Sequence, residues 1–159
     1  MRSTILGLAI VAAIVGGTFW ARHRTLPIQG ATAGSSAYSE SVPDVSRTAA
    51  TVDDGGVRVT ASLAPAPPAA FSMFRIRVQT RTAGGLTVLQ GGRVSFEMRM
   101  PMGEHRYGLK PTSDGWQEAD VMLPSCPSGQ FRWYATIEGD VAGRPRKVRV
   151  RFDLAPSAR

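Results

Sequence analysis

A single cysteine in 159 residues excludes an internal disulfide framework and any cysteine-built zinc centre, because both need thiols in groups. Two histidines leave little from which to assemble imidazole catalysis. The chain also lacks a Gly-x-Ser-x-Gly elbow, a His-Glu-x-x-His pair and a phosphate-cradling P-loop, so the common hydrolase and nucleotide-hydrolysing chemistries have no carrier here. Glu104, Asp114, Glu118 and Asp120 fall near turns and read as solvated surface groups. From Gly55 onward no stretch shows helical periodicity. The chain is therefore expected to be a non-enzyme built from strands.

One long apolar run is present. Residues 4–20, TILGLAIVAAIVGGTFW, carry no charge and are flanked by Arg2 on one side and Arg22, His23 and Arg24 on the other. That length is near the minimum for a membrane span, and Phe19 and Trp20 stand where aromatic rings favour the bilayer interface. Residues 1–24 are read as an N-terminal signal-anchor, a single transmembrane helix in the cytoplasmic membrane. Arg2 and the amino group nearly balance Arg22 and Arg24, so charge alone does not orient it; the short N-terminal flank suits export of the bulk of the chain. The alternative is a cleaved signal that leaves a secreted or periplasmic domain, with Ala31-Thr32-Ala33 as a late candidate site.

Residues 25–54 are rich in Ala, Ser, Thr, Gly and Pro without a sustained apolar period, and read as a flexible linker. Residues 55–159 then alternate apolar and polar side chains, the signature of half-buried strands. Six strands are predicted, around Val57–Leu63, Phe74–Gln79, Arg93–Met100, Glu118–Leu123, Phe131–Glu138 and Lys147–Leu154. Two more, through Arg106–Leu109 and Leu86–Leu89, are weaker. Gly-rich and Asp-Gly turns separate them. The economical architecture is an antiparallel β-sandwich of about seven strands; a barrel is the alternative. The formal charge of +7 resides in residues 55–159, which hold 15 basic and 8 acidic side chains. Basicity on an anchored, exported domain without an RNA-binding aromatic motif points toward an anionic membrane face or an acidic protein partner, and away from nucleic acid.

The most unusual local composition is Met98-Arg99-Met100-Pro101-Met102-Gly103-Glu104-His105, which concentrates three of six methionines and one of two histidines. Thioether sulfur and imidazole both suit Cu(I). Met98 and Met100 also continue the face set by Val94 and Phe96, so core filling is the competing reading. Residues two apart on a strand are roughly 6.6 Å apart, so ligation needs the Pro101–Gly103 turn to fold Met102 and His105 back. Cys126, in a Pro-bounded loop, is open to three readings: a half-buried loop residue, an extra soft ligand, or a reactive thiol. A blue-copper centre is excluded, since the domain has only His105 where two His are needed. The densest basic cluster, Arg144, Arg146, Lys147, Arg149 and Arg151, is either an interaction surface for anionic headgroups or an acidic partner, or a charged edge strand that discourages pairing.

The anchor, the β-rich exported domain, the segment from Met98 to His105, Asp114-Gly115-Trp116 and Gly129-x-x-Arg132-Trp133 together resemble the YtkA-like domain and the related FixH type. The resemblance spans roughly Val57 to Leu154. It implies an immunoglobulin-like sandwich, a role beside cytochrome oxidase assembly and copper supply, and a binding role for Met100, Met102 and His105. The function expected is a non-catalytic, membrane-anchored extracytoplasmic accessory domain handling copper for an oxidase or copper transporter. The alternative is a metal-free protein–protein interaction scaffold in the cell envelope.

Overall fold

The computed structural model describes residues 41–155. The expected anchor, residues 1–24, and residues 25–40 of the expected linker lie outside them. Among the described residues no helix is long and apolar enough to cross a membrane. Ten strands run β1 (Ala50–Asp54), β2 (Val57–Ala64), β3 (Phe74–Thr82), β4 (Gly85–Thr87), β5 (Gln90–Glu97), β6 (His105–Gly108), β7 (Lys110–Pro111), β8 (Gln117–Val121), β9 (Arg132–Val141) and β10 (Arg144–Asp153). They form two antiparallel sheets, ordered β1-β2-β3-β8-β7 with β4 on β3, and β10-β9-β5-β6. The alternation of the sequence is the cause: Val57, Val59, Ala61 and Leu63 on β2, or Val148, Val150 and Phe152 on β10, turn inward while their neighbours face out.

The inward faces meet in one core. Phe74 of the first sheet touches Phe96 and Phe152 of the second, with ring centroids 6.2 and 5.9 Å apart. Phe96 and Phe152 also meet edge to face at 5.9 Å. Trp133 lies fully buried at the start of β9.

Three expectations need correction. The linker was expected to run to Asp54, yet Val45 is fully buried and residues 50–54 form β1, paired with β2 from Ala50–Ala61 to Asp54–Val57. Ala50 and Val52 pack on the core. Gly55 and Gly56, at φ of +59° and +81°, make the two-residue turn that a hairpin needs, and Gly56 N–H donates to Asp53 Oδ1 at 3.0 Å. Just before this, residues 43–45 run parallel to β10: Val45 N–H donates to Arg151 O, and Arg151 N–H to Pro43 O, both at 2.8 Å. Second, the strand expected through Met100 ends at Glu97. Met98 stays in the core, but Met100 turns out to 36% exposure, because Pro101 cannot donate to a ladder. Third, β4 covers residues 85–87, and Leu89 leaves the expected strand to enter the core.

Both outer faces carry cross-strand ion pairs. Arg75 and Arg77 reach Glu118, Asp120 and Asp114 on one face. On the other, Glu138 sits between Arg93 at 2.8 Å and Lys147 at 2.9 Å. The hydrogen bond from Lys147, then that from Arg93, holds the Glu138 carboxyl below its usual range. A depressed carboxyl stabilises the fold above the unfolded-state range near pH 4.3 and loses that contribution as pH falls through its folded value. Glu138→Gln is therefore expected to cost about 0.5–1 kcal/mol at pH 7, with the difference from the parent in urea titrations starting to shrink as pH falls below about 4.3 and closing only below the depressed folded value.

Candidate functional site

The connections β2–β3 (residues 65–73), β5–β6 (98–104) and β8–β9 (122–131) gather at one end of the two-sheet domain. The registers require it: Ala64 pairs with Arg75, Phe74 with Val121, and Glu97 with Tyr134. Backbone bonds tie these segments together. Phe71 N–H donates to Leu123 O at 2.9 Å, and Leu154 N–H to Phe131 O at 2.9 Å. The Tyr107 hydroxyl donates to Met122 O at 3.1 Å.

The expected ligands divide into two contacts at this end. His105 opens β6 and places Nε2 3.1 Å from the Met102 carbonyl. A carbonyl only accepts, so Nε2 is the donor, and in the neutral ring it is Nδ1 that holds the lone pair. A backbone carbonyl that fixes the tautomer in this way is the usual support of a ligating histidine. The ring also meets Trp133 edge to face at 5.5 Å, and the Met102 side chain packs on the core. Met100 instead turns toward the β8–β9 loop, where its Sδ lies 3.7 Å from Cys126 Sγ.

Cys126 is only 6% exposed. The Ser128 hydroxyl, 3.0 Å from Sγ, holds the thiol below its ordinary value, against the opposing effect of desolvation. Cys126 is thus a buried loop residue that also touches a thioether. Nothing in the sequence could pair residues 26 positions apart in two irregular loops. Among the described residues no three His, Cys, Asp or Glu side chains converge as a metal-holding group.

Beside Cys126 opens a cleft of about 840 Å³ lined by Ala70, Cys126, Phe131 and Leu154, with Asp44 and Arg47 among its polar groups. Phe71 stands nearby at φ +57° with its ring 61% exposed. That backbone region is rarely adopted by a bulky side chain.

The basic cluster on β10 is largely engaged within the fold. Arg146 donates to Asp54 O at 2.8 Å, Lys147 meets Glu138, Arg149 meets Glu97 at 2.5 Å, and Arg151 lies 3.6 Å from Asp44. Arg149 also stacks over Tyr134, 4.9 Å from its ring centroid. A surface whose charges are already paired offers an acidic partner less than five free cations would. No protein-family model, no curated protein and no solved structure matches the chain.

Proposed function

We propose that the chain is a non-catalytic, membrane-anchored accessory domain, held outside the cytoplasmic membrane, that takes Cu(I) as cargo at its Met-rich end and serves a membrane partner such as an oxidase or copper transporter. The pairing orders β2-β3-β8-β7 and β10-β9-β5-β6 support an immunoglobulin-like sandwich as the scaffold, since they reproduce the A-B-E-D and G-F-C-C′ sheets of that class.

The observation that carries the copper reading is the separation of 3.7 Å between Met100 Sδ and Cys126 Sγ. Metal–sulfur bonds are about 2.3 Å long, so two sulfurs sharing one ion at tetrahedral to trigonal angles sit about 3.8–4 Å apart. The pair is thus close to the spacing a shared ion would impose. One thioether and one thiol with a depressed pKa are soft donors of the kind that select Cu(I) over harder ions. Met102 and His105, on the adjoining turn, are the remaining donors, with Nδ1 as the ring atom available.

The test is a titration of the full-length chain in detergent with Cu(I) against a chromophoric chelator, with circular dichroism to check folding. One equivalent is expected to bind. Met100→Ala and Cys126→Ser should each weaken binding at least about tenfold, or about 1.4 kcal/mol. Binding that is absent, or that both folded variants leave unchanged, overturns the site.

A further inference from the structure

Copper binding does not account for the apolar character of the end that carries Met100 and Cys126. Among the described residues five of the seven large hydrophobic side chains left exposed fall here: Phe71 at 61%, Met73 at 58%, Phe131 at 55%, Met122 at 46% and Met100 at 36%. Phe74 pairs with Val121, so Met73 and Met122, one step further along each strand, stand side by side. The connections 65–73 and 122–131 contain no Asp, Glu, Lys or Arg at all, in a chain that is 19% charged. Five of the 11 prolines are also in them, which stiffens the two loops and lowers the entropy lost when they are immobilised. Phe71 adds strain to exposure. Its left-handed backbone, pinned by the bond to Leu123 O, would suit glycine, yet it carries a ring presented to solvent.

We propose that this end rests on the lipid bilayer, with Phe71, Met73, Met122 and Phe131 in the interfacial layer of the leaflet that the domain faces. The inference rests on the reading of residues 4–20 as an anchor. Twenty residues, 21–40, separate that run from the described domain, and a chain of that length spans at most about 70 Å. The domain is therefore confined close to a bilayer, which makes docking effectively intramolecular. The two loops carry no charge of their own to desolvate, and Arg99 and Glu104 of the adjoining connection are exposed and can stay at headgroup level, whereas aromatic and methionine side chains gain by leaving water. Protruding residues on separate loops suit a fluid surface better than the flat face of a protein partner. Docking in this pose also sets the Met100–Cys126 pair at the membrane surface.

The test places a spin label at Ser72→Cys, and separately at Ala83→Cys on the exposed turn at the opposite end, in the full-length Cys126→Ser chain reconstituted in phosphatidylcholine vesicles. Accessibility to oxygen and to a water-soluble nickel chelate is then compared. The label at residue 72 is expected to favour oxygen and that at residue 83 the nickel chelate. Phe71→Gly with Phe131→Ser should return the label at residue 72 to water while the circular dichroism spectrum stays that of the parent, both side chains being mostly exposed. Vesicle flotation separates the two levels of the proposal. A chain that does not float overturns the anchor and the docking with it. A chain that floats with residue 72 open to the nickel chelate overturns the docking alone. A label shielded from both reagents signals a second copy over this end, and also overturns it.

Discussion

Phe74→Ala is expected to lower the unfolding free energy by about 3–5 kcal/mol. Phe74 is 2% exposed and is the ring through which the two sheets touch. Its neighbours Phe96 and Phe152 already contact each other edge to face, Phe96 between its ladders to β6 and β9 and Phe152 on the ladder to β9, so they cannot collapse freely into the space a phenyl ring leaves. The cost therefore combines lost transfer free energy, the cavity itself and two aromatic contacts worth about 0.5–1.5 kcal/mol each. Equilibrium denaturation with urea measures it. A loss below about 1.5 kcal/mol, the range of a well-accommodated swap, would mean that the sheets repack without this ring.

Gln117→Leu is the second, at about 1–3 kcal/mol. Gln117 is one of three buried polar or charged residues among those described, and its amide replaces a missing strand. Leu89 N–H donates to Oε1 at 2.8 Å, and Nε2 donates back to Leu89 O at 3.0 Å. Leu89 has left its expected strand, so its backbone has no ladder partner on that side, and a buried unpaired N–H costs about 1–3 kcal/mol. The carbonyl keeps a second donor, Gly92 N–H at 3.1 Å, which limits the loss. Leucine matches the volume of glutamine closely enough that the deficit reports the hydrogen bonds rather than a cavity. Unchanged stability in the same denaturation assay would show that the chain around Leu89 rearranges to find other partners.

The strands that alternate over six residues or more were legible because each buries a whole face, and that burial is recorded in the order of the residues. β1 was not. It offers only Ala50 and Val52 to the core, and its identity depends on the Gly55-Gly56 turn that lays it along β2, a long-range outcome of a short-range signal first read as a boundary. The candidate site was half legible. The contact between Met102 and His105 is three residues wide and follows from a tight turn. The meeting of Met100 with Cys126 depends on how two irregular loops settle over the core, and no periodicity encodes it. The pairing of the basic cluster was hidden for a related reason: its carboxylate partners, Asp44, Asp54, Glu97 and Glu138, come from four other segments, so a run of like charges in the chain becomes mixed charge in the fold.

The chain entering the domain serves both sheets in turn, with residues 43–45 hydrogen-bonded beside β10 and residues 50–54 beside β2. A fragment beginning at Gly55 would lose both. Its β2 would become a bare eight-residue rim with unpaired amides and carbonyls, and the flank of β10 near Arg151 would open as well. Such rims recruit strands from other molecules. The lead-in segment therefore acts as a hem that keeps copies of this domain from joining edge to edge, so soluble forms should retain residues from Ser41 onward.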